Sequence, residues 1–137
     1  MRKDSREVAL RVLYSQDYSA ENDCTEEIFS FNELSEQDKE FCQQLIDAVK
    51  QNKEALLQEL SEISKNYTVE RMFEVDKHVL LLAMAEMKYF PDIPVLVTIK
   101  EAMELSKKYS SEDSVIFING ILAAYKNNVE KTNGGNT

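Results

Sequence analysis

A chain of 137 residues with 43% hydrophobic and 30% charged residues has the size and composition of one globular domain with its own core. Three glycines and two prolines are too few to turn an all-β chain, whereas long helices need few of either. The formal charge of −9 argues against a general nucleic-acid binder, no run approaches the roughly 18 apolar residues of a membrane span, and the N-terminus lacks a signal-peptide apolar region. Cys24 and Cys42 have no metal-like spacing and make no disulfide framework, so a cytoplasmic protein with two reduced thiols is expected.

The charge is unevenly spread. Residues 1–16 carry four basic side chains against two acidic ones, residues 17–74 five against fifteen, and the remainder seven against eight. A phosphate ligand is therefore repelled from the middle of the chain and tolerated at the first helix and the C-terminal face.

In chain order, the first helix starts at Asp4 or Ser5, with Glu7 three residues after Asp4 as in a capping box. Val8, Ala9, Val12 and Leu13 line its core side, and Glu7, Arg11, Tyr14 and Tyr18 its other side. A short helix over 25–31 follows. Ser35 then opens a long helix to about Ser64, with Phe41, Leu45, Val49, Asn52, Leu56, Leu60 and Ile63 near a 3.6-residue period. Thr68 caps a linking turn. Residues 75–89 (VDKHVLLLAMAEMKY) are apolar almost all round, the mark of a central helix, and Pro91 and Pro94 break the chain after it. Residues 95–109 are amphipathic, and the acidic Glu112-Asp113 after Ser110 and Ser111 suits the start of a last helix. Residues 127–137 read as a disordered tail. The expectation is an all-α single domain over residues 1–126, a compact bundle of about six or seven helices.

Three features carry candidate chemistry. Arg2, Lys3 and Arg6 near the start of the first helix, with Arg11, Tyr14 and Tyr18 along one strip, offer cations for phosphate and rings for unpaired bases; a solvated basic helix end has the same composition. Phe117 lies at the border of the stripe Val115, Ile118, Ile121, Leu122 and Tyr125, either half-buried core or an exposed ring. Asn119-Gly120 inside a helix reads as a packing device, glycine admitting a close neighbour, and Ile116 points away from the stripe. Glu86 sits in an apolar run where an unpaired charge is costly, and hydrogen bonds from free backbone amides near Pro94–Val97 are its expected resolution. His78 is the lone histidine, there is no phosphate loop and no paired Glu-x-x-His pattern, so neither catalytic residues, a metal nor a cofactor is expected.

The order IPV…EA.EL.KKY…EDS..F.NG.L over Ile93–Leu122, following Asp76-Lys77, Leu80 and Glu86, resembles the NusB family of bacterial transcription antitermination factors, over Arg6 to Leu122. The resemblance implies an all-α binding protein rather than an enzyme. It would pair with NusE, a small-subunit ribosomal protein, recognise boxA in nascent RNA, notably ribosomal RNA, and join the RNA polymerase antitermination complex. It also implies RNA contacts at Arg2, Lys3, Arg6, Tyr14, Asp113, Ser114 and Phe117, and a NusE contact at Asp76. A homodimeric helical protein–protein module with little direct RNA binding is the alternative; the RNA-binding part of a ribosomal RNA methyltransferase would leave no residues for a catalytic domain.

Overall fold

The computed structural model describes residues 2–18, 25–65 and 68–134. Among the described residues seven α-helices run in the order α1 (Arg2–Tyr18), α2 (Thr25–Asn32), α3 (Glu36–Gln51), α4 (Lys53–Ile63), α5 (Glu74–Tyr89), α6 (Val95–Tyr109) and α7 (Glu112–Gly134), with a 3-10 turn at Val69–Arg71 before α5. No strand occurs among the described residues, so the all-α bundle expected from the sequence is the observed fold.

α5 is the axis, as its all-round apolarity predicts: every residue from His78 to Met87 is buried. It packs against α1, α3 and α4 as well as α6 and α7. Each fully buried Leu or Met there contributes roughly 1.5–3 kcal/mol relative to exposure, so α5 dominates the core. Contacts with α5 fix the direction of its neighbours. Tyr14 meets His78 near the start of α5, ring centroids 5.7 Å apart, whereas Arg6 meets Glu86 near its end, so α1 runs antiparallel to it. Ser114 meets Asp76 at the start of α5, and Tyr125 and Lys88 share Glu59 at the other end, so α7 runs parallel to it.

Several boundaries differ from the sequence reading, each for a local reason. α1 begins at Arg2, before Asp4, because Ser5 is buried and donates to the Asp38 carbonyl at 2.9 Å instead of capping, while Glu7 turns to Lys108 and Tyr109. The long helix expected over 35–64 is two helices. Ser35 caps the first, its Oγ accepting from the Asp38 amide, but Asn52 leaves helical geometry at φ −121°. Its side-chain amide donates to the Ala48 carbonyl at 2.8 Å, competing with the helical ladder. Thr68 precedes the 3-10 turn without a side-chain capping bond. At the other end α7 continues through Gly134 rather than stopping near Lys126: no proline interrupts it, Lys126 and Glu130 pair one turn apart, and Val129 packs against the core.

No helix among the described residues is long and apolar enough to cross a membrane. Cys42 is a buried free thiol whose pKa burial pushes up to about 12, so it is a packing residue and a poor nucleophile. Cys24 and the side chain of Tyr18 lie outside the described residues.

Candidate functional site

Arg6 does not stand on the surface. It is 5% exposed, and its Nε and Nη2 donate to the two oxygens of Glu86 at 2.6 and 2.9 Å. Thr98 of α6 donates its hydroxyl to the same carboxylate, so α1, α5 and α6 meet at one ion. Apolar Val79, Leu82, Ala83, Ala102 and Leu105 enclose the group, leaving about 10 Å³ of space, scarcely one water. The buried acid thus takes a guanidinium and a hydroxyl in place of the backbone amides expected near Pro94. A forked donor satisfying both carboxylate oxygens is the geometry that makes such burial tolerable.

Asp76 and Ser114 are also internal. Asp76 is 4% exposed, and its two oxygens accept from Ser110 Oγ and Ser114 Oγ, each at 2.7 Å. The Ser111 hydroxyl accepts from the Ser114 amide at 3.2 Å and caps α7. These bonds tie the α6–α7 turn to the start of α5. Asp76 and Ser114 therefore position the turn that carries Asp113, and neither offers a free group to a ligand.

Of the residues singled out by sequence, Arg2, Lys3 and Asp113 are exposed and Tyr14 and Phe117 half-buried. Four of them form two groups. The Arg2 guanidinium lies 4.6 Å over the Phe41 ring, and Phe41 is edge-on to Phe90, the residue that closes α5; Lys3 adjoins it. At the opposite end of α1, Tyr14 touches His78 and shares a groove of about 320 Å³ with Leu10, Arg11, Ser15, Glu27, Val75 and Tyr109, next to the turn bearing Asp113. The two groups are roughly 18 Å apart along α1 at 1.5 Å per residue.

The surroundings of the Tyr14 group are strongly cross-linked. His78 Nε2 is 2.9 Å from Asp17 Oδ2 and Nδ1 is 2.7 Å from the Glu74 carbonyl, while Asp17 also holds Lys53. Burial works against ionisation of Asp17, but the hydrogen bonds from Lys53 and His78 outweigh it and hold the carboxyl below its ordinary value. The same balance, with Lys108 and Tyr109 as partners, holds Glu7 low. Among the described residues no cluster of His, Cys, Asp or Glu could hold a metal ion.

Asn119 and Gly120 do not pack internally. Both are exposed, and a Cβ built on Gly120 would meet nothing within 4 Å. With Ile116, 73% exposed, they form an outward strip of α7. Sequence reasoning missed Phe41, Gln37 and Gln44 beside Arg2, although their 3.6-residue spacing on α3 was available.

Comparisons with known proteins agree with this architecture. Residues 3–127 match the model of the NusB family. The transcription antitermination protein NusB of Geotalea uraniireducens (strain Rf4) is 40% identical over 131 residues, covering 88% of this chain and 90% of that protein. NusB of Clostridium botulinum (strain Loch Maree / Type A3) is 34% identical over 135 residues, covering 88% and 96%. Among solved structures, T. maritima NusB superposes with a TM-score of 0.83 at 28% identity over 93% of this chain and 91% of that one. A structure of the antitermination factors NusB and NusE in complex with dsRNA gives 0.77 at 25% identity, covering 92% and 96%. With the family matched along almost its whole length, and the same helical fold, this chain belongs to the NusB family.

Proposed function

We propose that the chain is a transcription antitermination factor that binds boxA RNA together with NusE and helps RNA polymerase resist premature termination. It works in the cytoplasm by binding, without catalysis. The observation that carries this reading is the near full-length relationship to proteins named for antitermination, one of them solved with NusE and RNA.

The electrostatics suit shared recognition. A net charge of −9 makes the chain a poor RNA ligand alone, while its acidic surface attracts a basic ribosomal protein. Arg2 and Lys3 supply phosphate contacts, and Tyr14, Asp113 and Phe117 flank the strand farther along. The roughly 18 Å between the two groups is spanned by about five stacked nucleotides at 3.4 Å each. Arg6, Ser114 and Asp76 act from within, holding α1 and the α6–α7 turn in place.

Gel shifts with boxA RNA, with and without NusE, test this. A ternary complex much tighter than either binary one is expected; no RNA complex under either condition overturns the reading. With Arg6 committed to Glu86, two cations of this chain meet phosphate. Their share of the slope of log K against log salt is about −1.4, at about −0.7 per single-strand phosphate. Replacing both Arg2 and Lys3 by alanine should reduce the slope by that amount, and an unchanged slope would remove those residues from the interface.

A further inference from the structure

We propose that the recess between the start of α1 and the outer strip of α3 is a base-selecting subsite for an unpaired nucleotide whose Watson–Crick edge sets an exocyclic amine beside a ring-nitrogen acceptor, adenine or cytosine rather than uracil. This rests on the RNA-binding reading above and adds to it Gln37, Glu40, Phe41 and Gln44 of α3. The recess is about 510 Å³, lined by Arg2, Gln37, Asp38, Glu40, Phe41 and Gln44. Gln37, Glu40, Phe41 and Gln44 stand three, four and seven positions apart, so they share one strip of α3. Phe41 is the buried member; Gln37, Glu40 and Gln44 are exposed around it.

Each group has a distinct capacity. Arg2 is exposed, yet its guanidinium is seated on the Phe41 ring, which Phe90 braces edge-on with centroids 5.6 Å apart. That presents a flat cationic plane backed by two rings, and guanidinium planes stack unpaired bases. Gln37 and Gln44 each carry an amide donor and acceptor, and neither spends them on another described residue. Glu40 is an exposed acceptor at the rim, whereas the half-buried Asp38 carboxylate is already hydrogen-bonded, in part to Ser35. Arg2 can keep its guanidinium edge for a phosphate while its plane takes a neutral base, whose amine donates to the Glu40 carboxylate as a Gln37 or Gln44 amide donates to the neighbouring ring nitrogen. Uracil offers no amine, and its carbonyl would face the acidic rim.

The test uses the full chain with NusE and a boxA-type RNA in which each adenine or cytosine is replaced singly by uracil. At one position the wild type should lose about 5- to 10-fold in affinity, the lower part of the range for reading one base edge. In the Glu40→Ala/Gln44→Ala variant, whose substitutions lie on the exposed side of α3, that penalty should shrink to within about twofold while the salt dependence stays unchanged. A Lys3→Ala control should weaken all the RNAs alike and keep the penalty. If the double variant retains the full penalty, or the wild type shows none at any position, the subsite is refuted although RNA binding stands. Absence of RNA binding by the wild type refutes the function reading and the subsite with it.

Discussion

Glu86 and Asp76 lie on the same helix, and both are almost wholly buried, yet α5 neutralises them in different ways. Glu86 meets a guanidinium through two hydrogen bonds and a threonine hydroxyl; Asp76 meets two serine hydroxyls and, among the described residues, no cation. In the first case two ions have left water together, so each is costly without the other. In the second, a single carboxylate beside the start of α5 is satisfied by neutral donors and by the positive end of the helix dipole. One bridge fastens α1 to α5 and α6 across the core, and the other fastens a surface turn to the helix beneath it. They should therefore fail differently.

The largest effect belongs to the ion pair. Glu86→Ala strands a guanidinium among Val79, Leu82 and Leu105, and should lower stability by about 3–5 kcal/mol, read as the shift in a urea unfolding midpoint. Replacing both partners by apolar residues of similar size, Arg6→Met with Glu86→Leu, should recover most of that loss, because no unpaired charge remains. A double variant as unstable as the single one would mean the pair matters for shape rather than for charge. Charge reversal at Arg6 places two carboxylates in one closed space, so that substitution reports on folding and not on RNA contact.

A smaller loss is expected at Asp76. Asp76→Asn keeps one acceptor and adds an amine that meets hydroxyls able to reorient, so the cost should be about 1–2 kcal/mol. The damage should also be local. Amide exchange should quicken at residues 110–114 while α1 stays protected, whereas Glu86→Ala should expose α1 as well. Equal exchange patterns in the two variants would erase the distinction drawn between them.

The helical class and the order of most helices were legible because apolar periodicity, capping serines and the two prolines all agree. Glu86 was legible as a buried charge, but its partner lies 80 residues away, and no local pattern points to so distant a side chain. A signal was nevertheless present. Arg6 shares its helical strip with Ala9, Leu10 and Leu13, Ser114 with Ile118, Ile121 and Leu122, and Asp76 with Val79, Leu80 and Ala83, all of them buried. Three residues expected at a surface site, Arg6 from its type and the other two from the family resemblance, thus stood on core stripes, and period decides where such expectations mislead. Gly120 shows the reverse. A rare helical glycine suggested close packing, yet the position is open to solvent, and nothing within the described chain requires the missing side chain. The division of 35–64 into two helices was less legible, since Asn52 keeps the apolar period on either side of the break.

The smallest effect concerns the carboxylates at the rim, where water shares the work that neighbours perform inside. Glu7 receives hydrogen bonds from Lys108 and Tyr109, Asp17 from Lys53 and His78, and both folded-state pKa values are depressed against the opposing pull of burial. A depressed carboxyl binds its proton more weakly in the folded chain than in the unfolded one, so its contribution is fully present above the unfolded value and is lost as pH falls through the folded one. The loss should therefore begin below about pH 5 and deepen towards pH 3. Because these groups are part-exposed, solvent screening keeps each to no more than about 1 kcal/mol. Glu7→Gln should accordingly flatten the fall of the thermal midpoint between about pH 5 and pH 3 while changing it little at pH 7. An acid limb as steep as that of the parent would show that the α1–α6 bridge contributes nothing, and that acid stability is set instead by the remaining carboxylates.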